Sequence, residues 1–316
     1  MRYCWLFIFL LFPTSCKVQE NYIEKSLLHQ ERERTYYVYL PKDHAQTQPV
    51  PLVLALHGGG GKAENLNWLT NRQLTQEADR RGWLVVFPEG LYKGWNDGRD
   101  IKAARDKKRA GVDDVGFLSE VIRRMIEEYG VDATRVYATG ISNGGFMAMR
   151  LAIELPEKIA AIAPVTANLA EVHRHKVPAM PTSVLIMNGT DDPLVPYAGG
   201  QVKVFGQERG AILSTAASVA WWIGHNGCLT TAKVEALPDQ DTCDDCTVEV
   251  AAYGGGKQDT EVVLYKIIGG GHTWPGGKQY LFKAMVGKVC RDIDATQVIF
   301  DFFARHRRVA DESSRK

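Results

Sequence analysis

Short apolar runs alternate with longer amphipathic stretches along this chain. TYYVYLP (35–41), PLVLALHG (51–58) and WLVVFPEG (83–90) are rich in β-branched and aromatic residues and end on Pro or Gly, which predicts strands. Between the last two, ENLNWLTNRQLTQEADRRG (64–82) spaces Leu66, Leu69, Leu74 and Ala78 as a helix does, with Gly82 as its stop. The clearest helix is DDVGFLSEVIRRMIEEYG (113–130): Val115, Leu118, Val121, Ile122, Met125 and Ile126 form one face. Either Asp113 or Asp114 can cap it, and Gly130 can end it. RVYATG, IAAIAPV, TSVLIMNG and EVVLYKIIGGG follow as strands, and DIDATQVIFDFFARHRR as a last amphipathic helix. Short buried-type strands alternating with helices predict an α/β fold around a mostly parallel sheet.

The rest of the chain modifies this picture at its edges. MRYCWLFIFLLFPTSC (1–16) has one basic residue, an apolar stretch and small residues before Cys16, the layout of an export signal with lipidation expected at Cys16. Export to the periplasm, cell surface or medium follows as an expectation, with membrane contact only through that lipid. Residues 17–34 are polar and read as a tether, 35–307 as one catalytic domain, and 308–316 as a polar tail. Residues 225–261, polar and cysteine-bearing, read as an excursion from the core sheet. No apolar run reaches the ~18 residues of a spanning helix, so a soluble mature chain is expected. The 38 Lys and Arg nearly balance the 37 Asp and Glu, which gives no field to draw nucleic acid or anionic lipid. Nothing in the sequence calls for a partner chain, and a monomer is expected. Cys228, Cys243, Cys246 and Cys290 are an even set in an exported chain, so structural disulfides are expected, with the pairing open. CDDC (243–246) lacks the second paired ligand motif of a zinc site.

Three places carry candidate chemistry. Gly140-Ile141-Ser142-Asn143-Gly144 fits G-x-S-x-G, after a predicted strand and opening a predicted helix, as a nucleophile elbow requires. The N–H of Asn143 at the helix start would face a developing oxyanion. A nucleophilic serine needs a base and an orienting acid, in the chain order Ser, acid, His for this fold. Asp191 and Asp192 in MNGTDDPLVPY, and His272 in GGGHTWPGG, each follow a strand, where open α/β sheets build their sites. His57-Gly58-Gly59-Gly60-Gly61 ends an early strand, where a glycine loop can offer further oxyanion donors. It lacks the spacing of a phosphate loop. Trp95 and Trp274, flanking these loops, are candidates to contact an aromatic acyl group or a sugar.

LHGGGG, GWNDGR, DDVGFL, ATGISNGG, NGTDDPLVPY, GGGHTWPGG and CRDIDATQVIFDFF, in this order, resemble the exported polyhydroxybutyrate depolymerases and feruloyl or acetylxylan esterases over residues 34–307. The resemblance implies an α/β-hydrolase with Ser142 as nucleophile, His272 as base and Asp192, third after the glycine, as acid, with Asp191 as the fallback. It also implies Gly59 as the first oxyanion donor and Asn143 as the second. No metal or cofactor is implied. The expected activity is ester hydrolysis through an acyl-enzyme, on feruloyl or acetyl esters of plant polysaccharide, with a polyhydroxyalkanoate as the alternative. Depolymerases often carry Cys where this chain has Gly59, which weighs against polyester. Two other classes compete. A prolyl-oligopeptidase-like peptidase would need a propeller domain that this length does not hold. A non-catalytic surface binding protein would ordinarily have lost one of the three site residues.

Overall fold

In strand β3 (Val50–Leu56), Leu52, Leu54 and Leu56 enter one core while Val53 and Ala55 enter another. β4 (Leu84–Pro88) divides the same way, with Leu84 and Val86 on one side and Val85 and Phe87 on the other. Period-two side chains that are apolar on both faces require cover on both faces. The computed structural model describes residues 22–42, 48–99, 108–204 and 206–309, and supplies that cover.

One face carries α3 (Asp114–Tyr129), α4 (Asn143–Glu154) and α5 (Thr215–Asn226). Leu118, Val121, Met147, Leu151 and Trp222 of these helices pack in the first core. The other face carries α1 (Ala63–Leu69), α2 (Gln73–Arg81) and α7 (Ala295–Ala304), with Leu66, Leu74, Ile299, Phe300 and Phe303 in the second. Asp113 caps α3 by accepting from the Gly116 N–H, and Gly130 ends the helix at φ 65°, as anticipated. The helix expected over 64–82 is two helices, because Asn71 and Arg72 take positive φ and turn the chain between them.

The remaining strands are β1 (Tyr22–His29), β2 (Arg32–Tyr39), β5 (Val131–Ile141), β6 (Ala161–Val165), β7 (Ser183–Gly189), β10 (Lys233–Ala236), β11 (Thr247–Tyr253) and β12 (Val262–Ile268), joined with β3 and β4 in one sheet. Its order is β1-β2-β4-β3-β5-β6-β7-β12-β11-β10. The stretch from β4 to β12 is parallel throughout, and an antiparallel pair closes each edge. A separate hairpin, β8 (Gly200–Val204) with β9 (Gln207–Ile212), packs Val202 and Ile212 against Phe146 of α4. A short α6 (Lys283–Val286) follows β12.

Two expectations are corrected here. Residues 22–34 are not a tether, since most of them pair as β1 and β2. Tyr22 packs edge-on against Tyr39 and Phe87, and Leu27 is buried, so the polar composition reflects only the solvent face of an edge strand. The segment 225–261 is no excursion from the sheet, because β10 and β11 extend it through β12. The expected export signal, Cys16 and residues 310–316 of the tail lie outside the described residues. No helix among the described residues is long and apolar enough to cross a membrane.

Candidate active site

Sheet order reverses between β3 and β5, the place where α/β sheets open a crevice at their strand ends. The glycine loop leaves β3 there and Ser142 leaves β5. Ser142 is held at φ 55°, ψ −120°, a conformation costly for a residue with a side chain. Its N–H donates to the Val165 carbonyl at 2.9 Å and to Thr166 Oγ1 at 3.1 Å, which fixes the turn. Gly140 and Gly144 are required: a Cβ on either would collide with the Leu56 carbonyl at the end of β3.

Asp192 and His272 arrive on the loops after β7 and β12, which are parallel neighbours. His272 Nδ1 donates to Asp192 Oδ2 at 2.7 Å, with both side chains buried. The other oxygen, Oδ1, accepts the N–H groups of Leu194 and Val195, each at 2.8 Å. Three donors hold this carboxylate in one orientation. The Asp191 carboxylate instead accepts from the Thr190 hydroxyl and is exposed, so of the two aspartates it is Asp192 that meets His272. The His272 backbone is clamped as well, its N–H donating to Val286 O at 2.6 Å and its carbonyl accepting from the Tyr280 hydroxyl at 3.1 Å. Burial pushes the Tyr280 phenol up, so it stays a donor.

Ser142, Asn143, His272 and residues 57–61 line one cavity of about 440 Å³. A Cβ on Gly59 would lie 3.6 Å from Asn143 Cβ, so the two expected oxyanion donors are neighbours. His57 shapes this loop from beneath. Its Nδ1–H donates to Gly58 O at 2.8 Å and its Nε2 accepts from the Gly90 N–H at 3.0 Å, which defines a neutral ring. Burial pushes its pKa down to about 4.

The two tryptophans expected to contact substrate are both buried away from the cavity. Trp95 is fully buried beneath the glycine loop and donates from Nε1 to His57 O at 2.9 Å. Trp274 is fully buried in the second core and donates to Thr296 Oγ1 at 3.1 Å. Each indole N–H is satisfied internally, and neither ring borders the cavity. The aromatic residues lining the cavity are instead Trp68, Tyr92 and Tyr280, with Leu66, Leu69 and Leu281 also in its wall. Trp68 falls inside a stretch whose helical periodicity explains its leucines and leaves this ring unassigned, the only signal in the sequence.

The sequence also gave no sign of the role of the Asn143 side chain. Its Oδ1 accepts from Trp95 N at 2.7 Å and Arg109 Nη1 at 3.2 Å, while Nδ2 donates to Trp95 O at 3.0 Å and Asp97 Oδ2 at 2.6 Å. Asp97 in turn takes a bidentate pair from Arg99, Nε to Oδ1 and Nη2 to Oδ2, and is buried. In this structure Cys228, Cys243, Cys246 and Cys290 are free thiols. Cys243 is exposed, and the Cys228 thiol points at the Thr260 carbonyl.

An elbow serine, a buried Asp–His pair and a glycine loop at the switch point of a parallel sheet define an α/β-hydrolase. The profile of the family described as "Esterase PHB depolymerase" matches residues 34–198, and the chain belongs to that family. Over 288 residues it is 32% identical to "Putative esterase NocK" of Nocardia uniformis subsp. tsuyamanensis, covering 86% of this chain and 79% of that one. It is 30% identical to feruloyl esterase B of Piromyces equi over 78% of this chain, and spans 44% of that relative's length. Among solved structures, the acetyl xylan esterase from Aspergillus awamori shares the fold, with TM-score 0.55 and 15% identity over 79% of this chain and 94% of that one. A thermostable esterase gives TM-score 0.54 and 17% identity over 91% of this chain and 64% of that one. The protein is a serine ester hydrolase.

Proposed function

We propose that the protein cleaves carboxylic esters through an acyl-enzyme on Ser142, with His272 as general base and Asp192 as its orienting acid. The 2.7 Å Asp192–His272 hydrogen bond, opening on the same cavity as the strained serine, carries this reading. With Nδ1–H committed to Asp192, the Nε2 of the neutral ring is the free base for the serine proton. The Asp192 carboxylate then stabilises the imidazolium that forms. The N–H groups of Gly59 and Asn143 receive the oxyanion of the tetrahedral intermediate. His272 next protonates the leaving alcohol and activates the water that releases the acid.

The proposed substrates are feruloyl and acetyl esters of plant polysaccharide. Two observations support this choice: relatives bear the names feruloyl esterase and acetylxylan esterase, and Trp68 and Tyr92 stand half exposed at the cavity rim, where a sugar or an aromatic acyl group can stack. The test is a panel of methyl ferulate, acetylated xylan, graded acyl esters and a polyhydroxybutyrate film, with wild type and Ser142→Ala. Ferulate or acetylxylan turnover that drops about 10⁴-fold or more in the alanine variant is the expected result. Release confined to the polyester film would replace the proposed substrates. Equal turnover by the alanine variant would remove the mechanism.

A further inference from the structure

Two cysteines far apart in sequence meet behind the histidine loop. Cys246 closes CDDC just before β11, and Cys290 lies in the segment between α6 and α7. Both are buried, and their sulfurs and an Asp244 carboxylate oxygen lie within 4.8 Å of one another. Apolar Val248 and Ile267 pack around them. The Cys246 thiol points at Asp244 O at 3.6 Å, and the Cys290 thiol at Asp292 Oδ2 at 3.8 Å. A hydrogen bond with Cys246, reinforced by burial, pushes the Cys290 thiol up.

The two segments are already fastened by hydrogen bonds. Asp244 accepts from Cys246 N at 2.7 Å and reaches across to Arg291 N at 2.6 Å. Asp292 reaches back to the N–H groups of Gln240 and Asp241, at 2.8 and 3.1 Å. Both carboxylates thus tie the two segments together through backbone N–H groups. The segment carrying Cys290 is the brace of the site. Val286 O takes the His272 N–H, Lys288 O takes Gly271 N–H at 2.9 Å and the Thr273 hydroxyl at 2.9 Å, and Cys290 O takes Gly276 N–H at 2.8 Å.

We propose that Cys246 and Cys290 are an oxidisable pair that closes to a disulfide and locks this brace behind His272. The oxidant is a low-molecular-weight disulfide. One cysteine thiolate attacks a sulfur of the oxidant, expelling a thiolate and leaving a mixed disulfide. The second cysteine attacks the protein sulfur of that bond and expels the other half. Two protein thiols lose two protons and two electrons, and the oxidant becomes two thiols. The crosslink closes a long loop that includes β11, β12 and the histidine turn, so it stiffens the segment that aims His272.

The test incubates the full chain with glutathione disulfide or with a phosphine reductant, followed by alkylation and peptide mass spectrometry. A crosslinked Cys246–Cys290 peptide is expected after oxidation. The oxidised form should melt roughly 5–10 °C higher than the reduced form and keep esterase activity longer on heating. Cys246→Ala and Cys290→Ala should each abolish the shift, whereas Cys243→Ala should keep it. Comparing the two redox states of wild type reads the effect even where a variant folds poorly. Crosslinking confined to Cys243, alkylation of Cys246 and Cys290 unchanged by oxidant, or zinc copurifying in equal amount and protecting both thiols would each overturn the proposal.

Discussion

The Asn143 side chain donates to the Asp97 carboxylate over 2.6 Å while its Oδ1 accepts from the Trp95 N–H over 2.7 Å. The residue after the serine is therefore bolted through its own amide to the 94–99 segment. Its backbone N–H, the proposed oxyanion donor, gains a fixed direction from a side chain that does no chemistry.

Asn143→Asp should consequently damage catalysis while leaving the elbow backbone intact. The substitution removes the Nδ2 donor and sets a second carboxylate against Asp97 in a buried site. We expect kcat to fall roughly 10²–10³-fold, the size of a lost oxyanion donor, with a smaller change in KM. Steady-state kinetics together with a melting curve measures this, and kcat near wild type would show that the side chain does not aim the Asn143 N–H.

The two neighbouring aspartates give a cleaner contrast. Asp192→Asn keeps the shape but breaks the preference for the Nδ1–H tautomer of His272, so kcat should drop about 10⁴-fold. Asp191→Asn affects a carboxylate bonded to Thr190 and should leave kcat within about twofold, as surface changes do. Reversal of these two results would move the acid to Asp191.

What the sequence made legible was what strand order and spacing determine. Ser142, Asp192 and His272 each follow an apolar strand, and parallel neighbours bring such loop ends together without further information. The burial of Trp95 and Trp274 was not legible, since a loop tryptophan facing solvent and one folded under a neighbouring turn share the same local sequence. The distinction lies in partners such as the His57 carbonyl and Thr296, both distant in the chain. The edge strand β1 was hidden for a related reason: one face is charged, and what it buries is supplied by Tyr39 and Phe87.

Gly144→Ala tests the elbow as a packing device. The added Cβ would meet the Leu56 carbonyl, which is backbone and cannot rotate away. Overpacking here should cost about 1–3 kcal/mol or more and move Ser142 off its geometry, so Tm and kcat should fall together. A stable, fully active alanine variant would show that β3 and α4 can separate at little cost.

A buried ion pair anchors the same 94–99 segment from the far side. Arg34 Nη2 donates to Asp114 Oδ1 at 2.6 Å, and Asp114 Oδ2 accepts the Asn96 N–H at 2.6 Å. Burial alone pushes the Asp114 carboxyl up and the Arg34 guanidinium down. Arg34→Met strands the carboxylate and should cost about 3–5 kcal/mol in urea unfolding, with Arg34→Met/Asp114→Leu recovering much of it. Equal stability of the single variant and wild type would mean that Asn96 alone satisfies Asp114.

His57 should make the fold acid-sensitive in a defined window. Its folded pKa is pushed down to about 4 from an ordinary 6.5. Between those values the unfolded chain binds a proton that the folded chain refuses, so stability rises with pH there. The contribution is complete above pH 6.5 and is lost as pH falls toward 4, by roughly 3 kcal/mol in all. His173, also lowered by burial, adds in the same direction, while Glu261, held at about 2 chiefly by its hydrogen bond with His306, keeps its contribution above pH 4.5 and loses it as pH falls from there toward 2. Denaturant midpoints from pH 7 to pH 4.5 should therefore decline in wild type and decline less in His57→Gln. That variant should also be less stable at pH 7, because Gly58 and Gly90 lose their shared partner. Parallel declines in the two proteins would mean that His57 is already charged in the fold, and the glycine loop would then need another support.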